Sequence, residues 1–534
     1  AAIDGIARPA YARLRAAIAG LGCAPRSREA LQVDVVRATL RNALRSAGVA
    51  YGTINPFGFV NHAPYLVSQI SGPHIDTPAT MAGQQSLRTP AAIDAWIAKL
   101  EGFGAGFDGV IDKVRADEAA GCIPPRALLE KTLPVLDAFI AGPVREHPLI
   151  VALHAGMAAA VIDSDARERF EARAIAAIDG IARPAYARLR AAIADMVPRG
   201  RTESGVWAQP RGEEVYAANV LALGDSTLTP DEIHQRGLDE IERITAEMGT
   251  LLAGQELMRG SVAERMLALS GDPAQLFPDS DAGRQELLEY VRSLVRGAEG
   301  RYEEFLPTAM IPPQAMQVRR VPVPTQDSAP GGFYDSPSLD GTRPGTYWIN
   351  LRDMAAVARF TLPTLSYHEG VPGHHTQSAI ASGLGEAPLL IRIASFNAYQ
   401  EGWALYSERL MAELGAYADD PYGDLGRLQD ELFRAIRLVV DTGLHHKRWT
   451  REQAIAFMRS ASGNPESSVV AEIERYMAWP GQALGYKLGQ LRLLAMRDTA
   501  RERAGAGFDI RDFHAAVLGE GAMPLAMIEQ RPQA

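Results

Sequence analysis

The chain has 534 residues, 47% of them hydrophobic, with 54 Lys and Arg against 64 Asp and Glu, a net charge of −10 and two cysteines. That length and apolar content bury a large core, the acidic balance speaks against a nucleic-acid partner, and Cys23 and Cys122 are too few for a disulfide framework and read as ordinary thiols. No stretch reaches the roughly 20 apolar residues of a membrane span.

The first feature along the chain is a repeat: residues 1–19, AAIDGIARPAYARLRAAIA, recur unchanged at 176–194. Structural repeats drift apart and solenoids need at least three copies. An identical pair therefore reads as a recent duplication or an artefact of the chain's start. The chain begins at Ala and shows no targeting signal, which leaves cytoplasm and periplasm both open.

Ala-, Leu- and Arg-rich helical patterns fill 85–195 and return at 284–306, 400–415, 426–449 and 484–503. A change of character near 196–212 predicts a helical N-terminal region over 1–200 and a second helical region, holding the unusual residues, over 201–534. Thr229-Pro230-Asp231-Glu232 reads as a capping box, and Ile241, Ile244, Met248 and Leu251 behind it keep the spacing of one buried helix face. Strand signals are few. Gly345–Leu351, GTYWINL, is the clearest and reads as an edge strand open to an extended substrate, preceded by a Pro- and Gly-rich loop over 321–345.

Five of the eleven His lie between 368 and 446: His368, His374, His375, His445 and His446. The segment Ser366–Gln377, SYHEGVPGHHTQ, differs from H-E-x-x-H, in which two His one helical turn apart reach one zinc and the Glu serves as base. Six residues turn an ideal helix by about 600°, so His374 would face away from His368; seven restore the face but separate the side chains by about 10 Å. Zinc–nitrogen bonds are only about 2 Å long, so a regular helix cannot make the site. Pro372 and Gly373 allow two residues to bulge out between two helical turns. His374 then takes the second ligand position, and His375 points elsewhere. An acidic residue on the next helix supplies the third ligand: Glu401, twenty-seven residues after His374, with Glu408 two turns on as the reserve.

HEGVPGHHTQ, EGWALYSE at 401–408 and RYMAWPGQALGYKLGQL at 475–491 resemble the bacterial "domain of unknown function 885" family. PRGEEVYAANVLALGDSTLTPDEIHQRGLDEI, SLDGTRPGTYWINL, DTGLHHKRWTREQAI and GCIPPRALLEKTL resemble it too, so the likeness spans roughly 85–534 and fits residues 1–84 less well. The family is similar in organisation to helical gluzincin peptidases of the carboxypeptidase Taq, thimet oligopeptidase and angiotensin-converting enzyme type. The resemblance implies a mainly α, metallopeptidase-like fold with a deep cleft and a small β-element at the active site. It also implies one zinc per chain on His368, His374 and Glu401, with Glu369 as general base and Tyr486 as the donor to the developing oxyanion, Tyr476 being the substitute.

Arg343, Tyr347, His375 and His445 are the candidates for substrate contact, Arg343 as a fork for a carboxylate. Asp441 and His445, four apart on a helix, are spaced to hydrogen-bond. His446 follows His445 at the same helix end, while His62, His74, His147, His154, His234 and His514 and the Trp at 403, 449 and 479 read as structural. The expected activity is hydrolysis of short peptides, carboxypeptidase-, dipeptidase- or oligopeptidase-like. The rivals are a metal-dependent hydrolase of a non-peptide amide or ester, an iron oxygenase built on the same two-His-one-carboxylate set, and a non-catalytic protein with a relic zinc site. A homodimer is left open.

Overall fold

The computed structural model describes residues 27–531, apart from 56–59, 161, 324, 325, 327, 328 and 386, together with residues 9, 12, 13 and 16. Cys23 and almost all of the first repeat copy, 1–19, lie outside the described residues. The second copy forms a single π-helical stretch, Ile178–Ala182, followed by most of a regular helix.

The chain is mainly helical. Helices α1 (Phe103–Ala119), α2 (Arg126–Ile140) and α3 (Arg183–Met196) pack around an apolar cluster drawn from Val67 to Met196. In α1 the buried Phe103, Phe107, Val110, Ile111 and Val114 keep the three-and-four spacing of one face. Phe139 of α2 stacks on Tyr186 of α3 with ring centres 3.6 Å apart and planes at 5°. Then follow α4 (Gly212–Leu223) and α5 (Pro230–Gly254). The start of α5 is set as its sequence dictates: the Thr229 hydroxyl accepts from Glu232 N, and the Glu232 carboxylate accepts from Thr229 N at 2.7 Å.

Six of the later helices bear on the site: α6 (Leu362–Glu369), α7 (His374–Ser382), α8 (Asn397–Glu413), α9 (Pro421–His445), α10 (Glu466–Ala478) and α11 (Leu484–Ala504). Helix α9 is buried along almost its whole length. Lys487 of α11, fully buried, ties three helices together: its ammonium donates to Glu431 of α9 at 2.7 Å, lies 2.8 Å from Glu240 of α5, and donates to Gln490 at 2.7 Å. Burying that charge is tolerable only because all three partners are carboxylate or amide oxygens. Helices α8 and α11 cross at glycine. A Cβ on Gly402 would lie 2.5 Å from the Gly489 Cα, and one on Gly489 would lie 2.1 Å from the Ala398 carbonyl oxygen. The backbones touch there, which brings the start of α11 against the turn that carries Glu401.

Strands are short. β1 (Thr53–Ile54) pairs antiparallel with β2 (His62–Ala63). β3 (Gln317–Arg320), β4 (Gly332–Asp335) and β5 (Thr346–Ile349) form a sheet in the order β3-β5-β4. The expected edge strand is therefore the central one: β5 runs parallel to β3 and antiparallel to β4, and both its edges are paired. Tyr347 and Ile349 are fully buried, so β5 carries the apolar centre of the sheet. Among the described residues no helix is long and apolar enough to cross a membrane.

Candidate metal centre

Helix α6 ends at Glu369 and α7 begins at His374. Between them the chain folds back on itself: Gly370 N donates to the Ser366 carbonyl at 2.9 Å and Gly373 N to the Tyr367 carbonyl at 3.0 Å. Position 373 must be glycine, because a Cβ there would sit 1.9 Å from the His368 carbonyl oxygen. The indole of the fully buried Trp403 donates to the Pro372 carbonyl at 2.9 Å and braces the turn from α8. The helix resumes with its phase reset. The rings of His368 and His374 stand 4.9 Å apart at 89°, where an unbroken helix would have pointed them to opposite sides.

Glu401 closes the group. One ligand atom from each of His368, His374 and Glu401 lies within 4.8 Å of the others. The Glu401 carboxylate is 3.4 Å from His374 Nε2 and 3.7 Å from His368 Nε2. Both separations exceed a good hydrogen bond. They fit two donors on one tetrahedral ion, for which bonds of about 2.0–2.1 Å place ligand atoms about 3.4 Å apart. Two imidazoles and one carboxylate are also the donor types zinc takes. His368 and Glu401 are buried, and His374 keeps 18% of its side-chain surface, so the group is open on its His374 side.

The electrostatics are those of a closely packed charged cluster. Burial would lower the pKa of His368, yet the carboxylates of Glu401 and Glu408 outweigh it and push it up to about 10. Burial would raise that of Glu401, and the two imidazoles instead hold it well below the usual carboxylate range.

Glu408 does not join the three ligand atoms. One of its oxygens lies 2.7 Å from His368 Nδ1 and the other accepts from the Thr364 hydroxyl at 2.7 Å. It therefore holds His368 from behind and is not one of the three convergent donor residues. Glu369 is buried at the end of α6. The fully buried Tyr347 hydroxyl is within electrostatic reach of the Glu369 carboxylate, and burial followed by that charge raises its pKa. Tyr347 is consequently a neighbour of Glu369 inside the core and has no surface for substrate.

Tyr486, on α11, is 9% exposed, and its oxygen accepts from Gln482 Nε2 at 3.4 Å. Its ring lies 4.3 Å from the Arg437 guanidinium and 5.9 Å from that of Arg434. Arg434 also acts electrostatically on Glu408, the carboxylate that holds His368. Tyr476 is committed elsewhere: it donates to Glu472 at 2.6 Å and accepts from Arg437 Nε at 3.0 Å.

The other candidates are placed apart from the ligand atoms. His375 is buried against β4: its Nδ1 is 3.0 Å from the Tyr334 hydroxyl, and burial brings its pKa down to about 4. It supports the sheet and contacts no open surface. His445 is not bonded to Asp441. Its Nδ1 accepts from Val206 N at 3.0 Å, so its Nε2 donates to the Tyr476 carbonyl at 3.0 Å, and the ring is a neutral structural bridge. Asp441 instead accepts from the Tyr216 hydroxyl at 2.8 Å and from Gly481 N at 3.1 Å. Arg343 lies half-buried in the turn 338–343, near Tyr334. Of the cysteines, Cys122 is buried and free. Thr364, Arg434 and Arg437 were not singled out by sequence; the only signal for Arg434 and Arg437 is a row of Arg on one face of α9.

The comparisons with known proteins establish the family and the overall fold. The model of a family described as "Bacterial protein of unknown function (DUF885)" matches residues 4–531, including the first 84 residues that the sequence motifs did not reach. A crystal structure of a "putative lipoprotein" from Colwellia psychrerythraea is 42% identical, covers 97% of this chain and 89% of its own, and superposes with a TM-score of 0.93. A "putative lipoprotein of unknown function" from Shewanella oneidensis is 18% identical, covers 98% of this chain and 92% of its own, and shares the fold with a TM-score of 0.66. No curated protein matches the chain. On the extent of the family match and the 42% identity over nearly the whole chain, the protein belongs to the DUF885 family of bacterial proteins.

Proposed function

We propose that this protein is a zinc-dependent metallopeptidase acting on short peptides. The observation that carries the reading is the convergence of His368, His374 and Glu401 at ligand distances, with Glu369 directly following the first ligand. The donor set fits zinc, and one ion per chain held there would supply a polarised carbonyl and an activated water. Glu369 takes the water's proton and delivers it to the leaving amine. Glu408 keeps the proton of His368 on Nδ1, so that Nε2 presents its lone pair to the ion. Tyr486 donates to the carbonyl oxygen as negative charge develops on it; because Gln482 donates to the Tyr486 oxygen, the hydroxyl proton is free for that task. The sheet residue Tyr334 braces His375, next to the second ligand, from behind.

We infer an envelope location with it, since the 42% identical relative is described as a "putative lipoprotein". The experiment is digestion of a mixed short-peptide library by the protein as purified, stripped with chelator, and reloaded with zinc, read by mass spectrometry. Cleavage lost on stripping and restored by zinc is expected. No cleavage in any of the three, or cleavage indifferent to metal, would overturn the reading.

A further inference from the structure

Three guanidiniums gather around Tyr486. Arg437 and Arg434 on α9 face its ring at 4.3 and 5.9 Å, and Arg475 on α10 is close enough to act on it electrostatically. Two carboxylates serve them. Asp430 lies 2.8 Å from Arg434, and Glu472 is shared between Arg475 at 2.7 Å and Arg437 at 3.3 Å. Arg437 and Arg475 thus divide one negative charge, which leaves one positive charge in excess.

Arg437 is the sharpest member. It is 6% exposed, its Nε donates to the Tyr476 hydroxyl at 3.0 Å, and its Nη2 reaches Glu472. Its Nη1 is buried with no hydrogen-bond partner among the described residues; Nε of Arg434 and Nε of Arg475 share that condition. Buried guanidinium N–H groups without an acceptor are costly, and in native proteins they are met by a partner, a water or a ligand. Tyr486 and Arg434 connect the cluster to the ligand group through Glu408.

We propose that Arg437 and Arg475, beside Tyr486, form a subsite for a carboxylate, and that the carboxylate is the free C-terminus of the peptide. The proposal rests on the metallopeptidase reading and adds direction to it: a fork that holds the terminal carboxylate beside Tyr486, the proposed oxyanion donor, restricts cleavage to the C-terminal end of the substrate. The excess charge selects the ionised acid over an amide, and the unmade Arg437 bond supplies the contact.

The test compares a short peptide acid, its C-terminal amide, and an amide of the same length carrying an internal Asp, each with wild type, Arg437→Gln and Arg437→Lys. For the wild type the ratio of kcat/KM, acid over amide, is expected to be about 100, the loss typical of leaving a buried charge unpaired. The ratio is expected to collapse towards one in Arg437→Gln and to be partly kept in Arg437→Lys. Calorimetry with an N-acetyl dipeptide and its amide gives a reading independent of turnover: the acid binds wild type, and neither compound binds Arg437→Gln. A wild-type ratio near one, or a ratio unchanged in a folded Arg437→Gln, overturns the subsite. An Asp-bearing amide handled as well as the free acid overturns its assignment to the C-terminus. Absence of turnover with selective binding of the acid would sink the peptidase reading and leave the carboxylate subsite standing.

Discussion

The Glu408 carboxylate stands 2.7 Å from Nδ1 of His368, seven residues along α8 from Glu401, whose carboxylate faces Nε2 of the same ring. One helix thus grips both nitrogens of one imidazole, one from within the ligand group and one from behind it. Thr364, on α6 itself, fixes the far oxygen of Glu408.

Removing that grip frees the ring to rotate. Glu408→Ala is expected to weaken zinc binding by about 10–100-fold, with Glu408→Gln losing less because it can still accept from Nδ1. Competition against a chromophoric chelator measures both. Equal zinc affinity in wild type and Glu408→Ala would contradict the role.

Tyr486→Phe removes one hydroxyl beside Arg437 and Arg434 and leaves the packing of α11 intact. On the proposed mechanism kcat falls by about 10²–10³-fold while KM and zinc content change little. Steady-state kinetics with metal analysis decides it; a fall confined to KM would make Tyr486 a substrate contact only.

Gly489→Ala inserts a methyl where only 2.1 Å separates the Cβ position from the Ala398 carbonyl oxygen. The helices must part, at a cost of about 1–3 kcal/mol. Since Ala398 lies one turn before Glu401 on α8, zinc affinity is expected to fall with stability. Urea unfolding and metal titration test the two together.

Six imidazoles, those of His62, His74, His147, His375, His445 and His514, are buried, and burial brings each pKa down to about 4. Unfolded, each would titrate near 6.5. Below that pH the unfolded chain binds protons that the folded chain refuses, so stability is full above about pH 6.5 and falls as the pH drops towards 4, by up to about 3 kcal/mol per imidazole. Thermal melts between pH 7.5 and 5 should show a steep loss on the acid side. A flat profile would contradict it.

Much of the site was legible because the helix imposes arithmetic. His368 and His374, six positions apart, cannot share a face of a regular helix, and Pro372-Gly373 sits where the break is needed. The Thr229 box was equally legible, since it is made by residues three apart. Where long-range partners decide, the sequence was silent or misleading. Asp441 and His445 are well spaced to meet, but Tyr216, Gly481, Val206 and Tyr476 offer each of them better-placed partners from elsewhere in the chain. GTYWINL reads as a strand, but its position in the sheet depends on Gln317–Arg320, which carry no alternating pattern to announce a partner. Glu408 showed its face on α8; that it would stand behind a ligand followed only from where α6 packs.

The central claim is that Glu369 is the base beside a bound zinc, and the most direct test is the pair wild type and Glu369→Gln, each analysed for zinc and for cleavage of the same short peptides. The account predicts one zinc per chain in both proteins and products from the wild type alone. Full cleavage by zinc-loaded Glu369→Gln would contradict it.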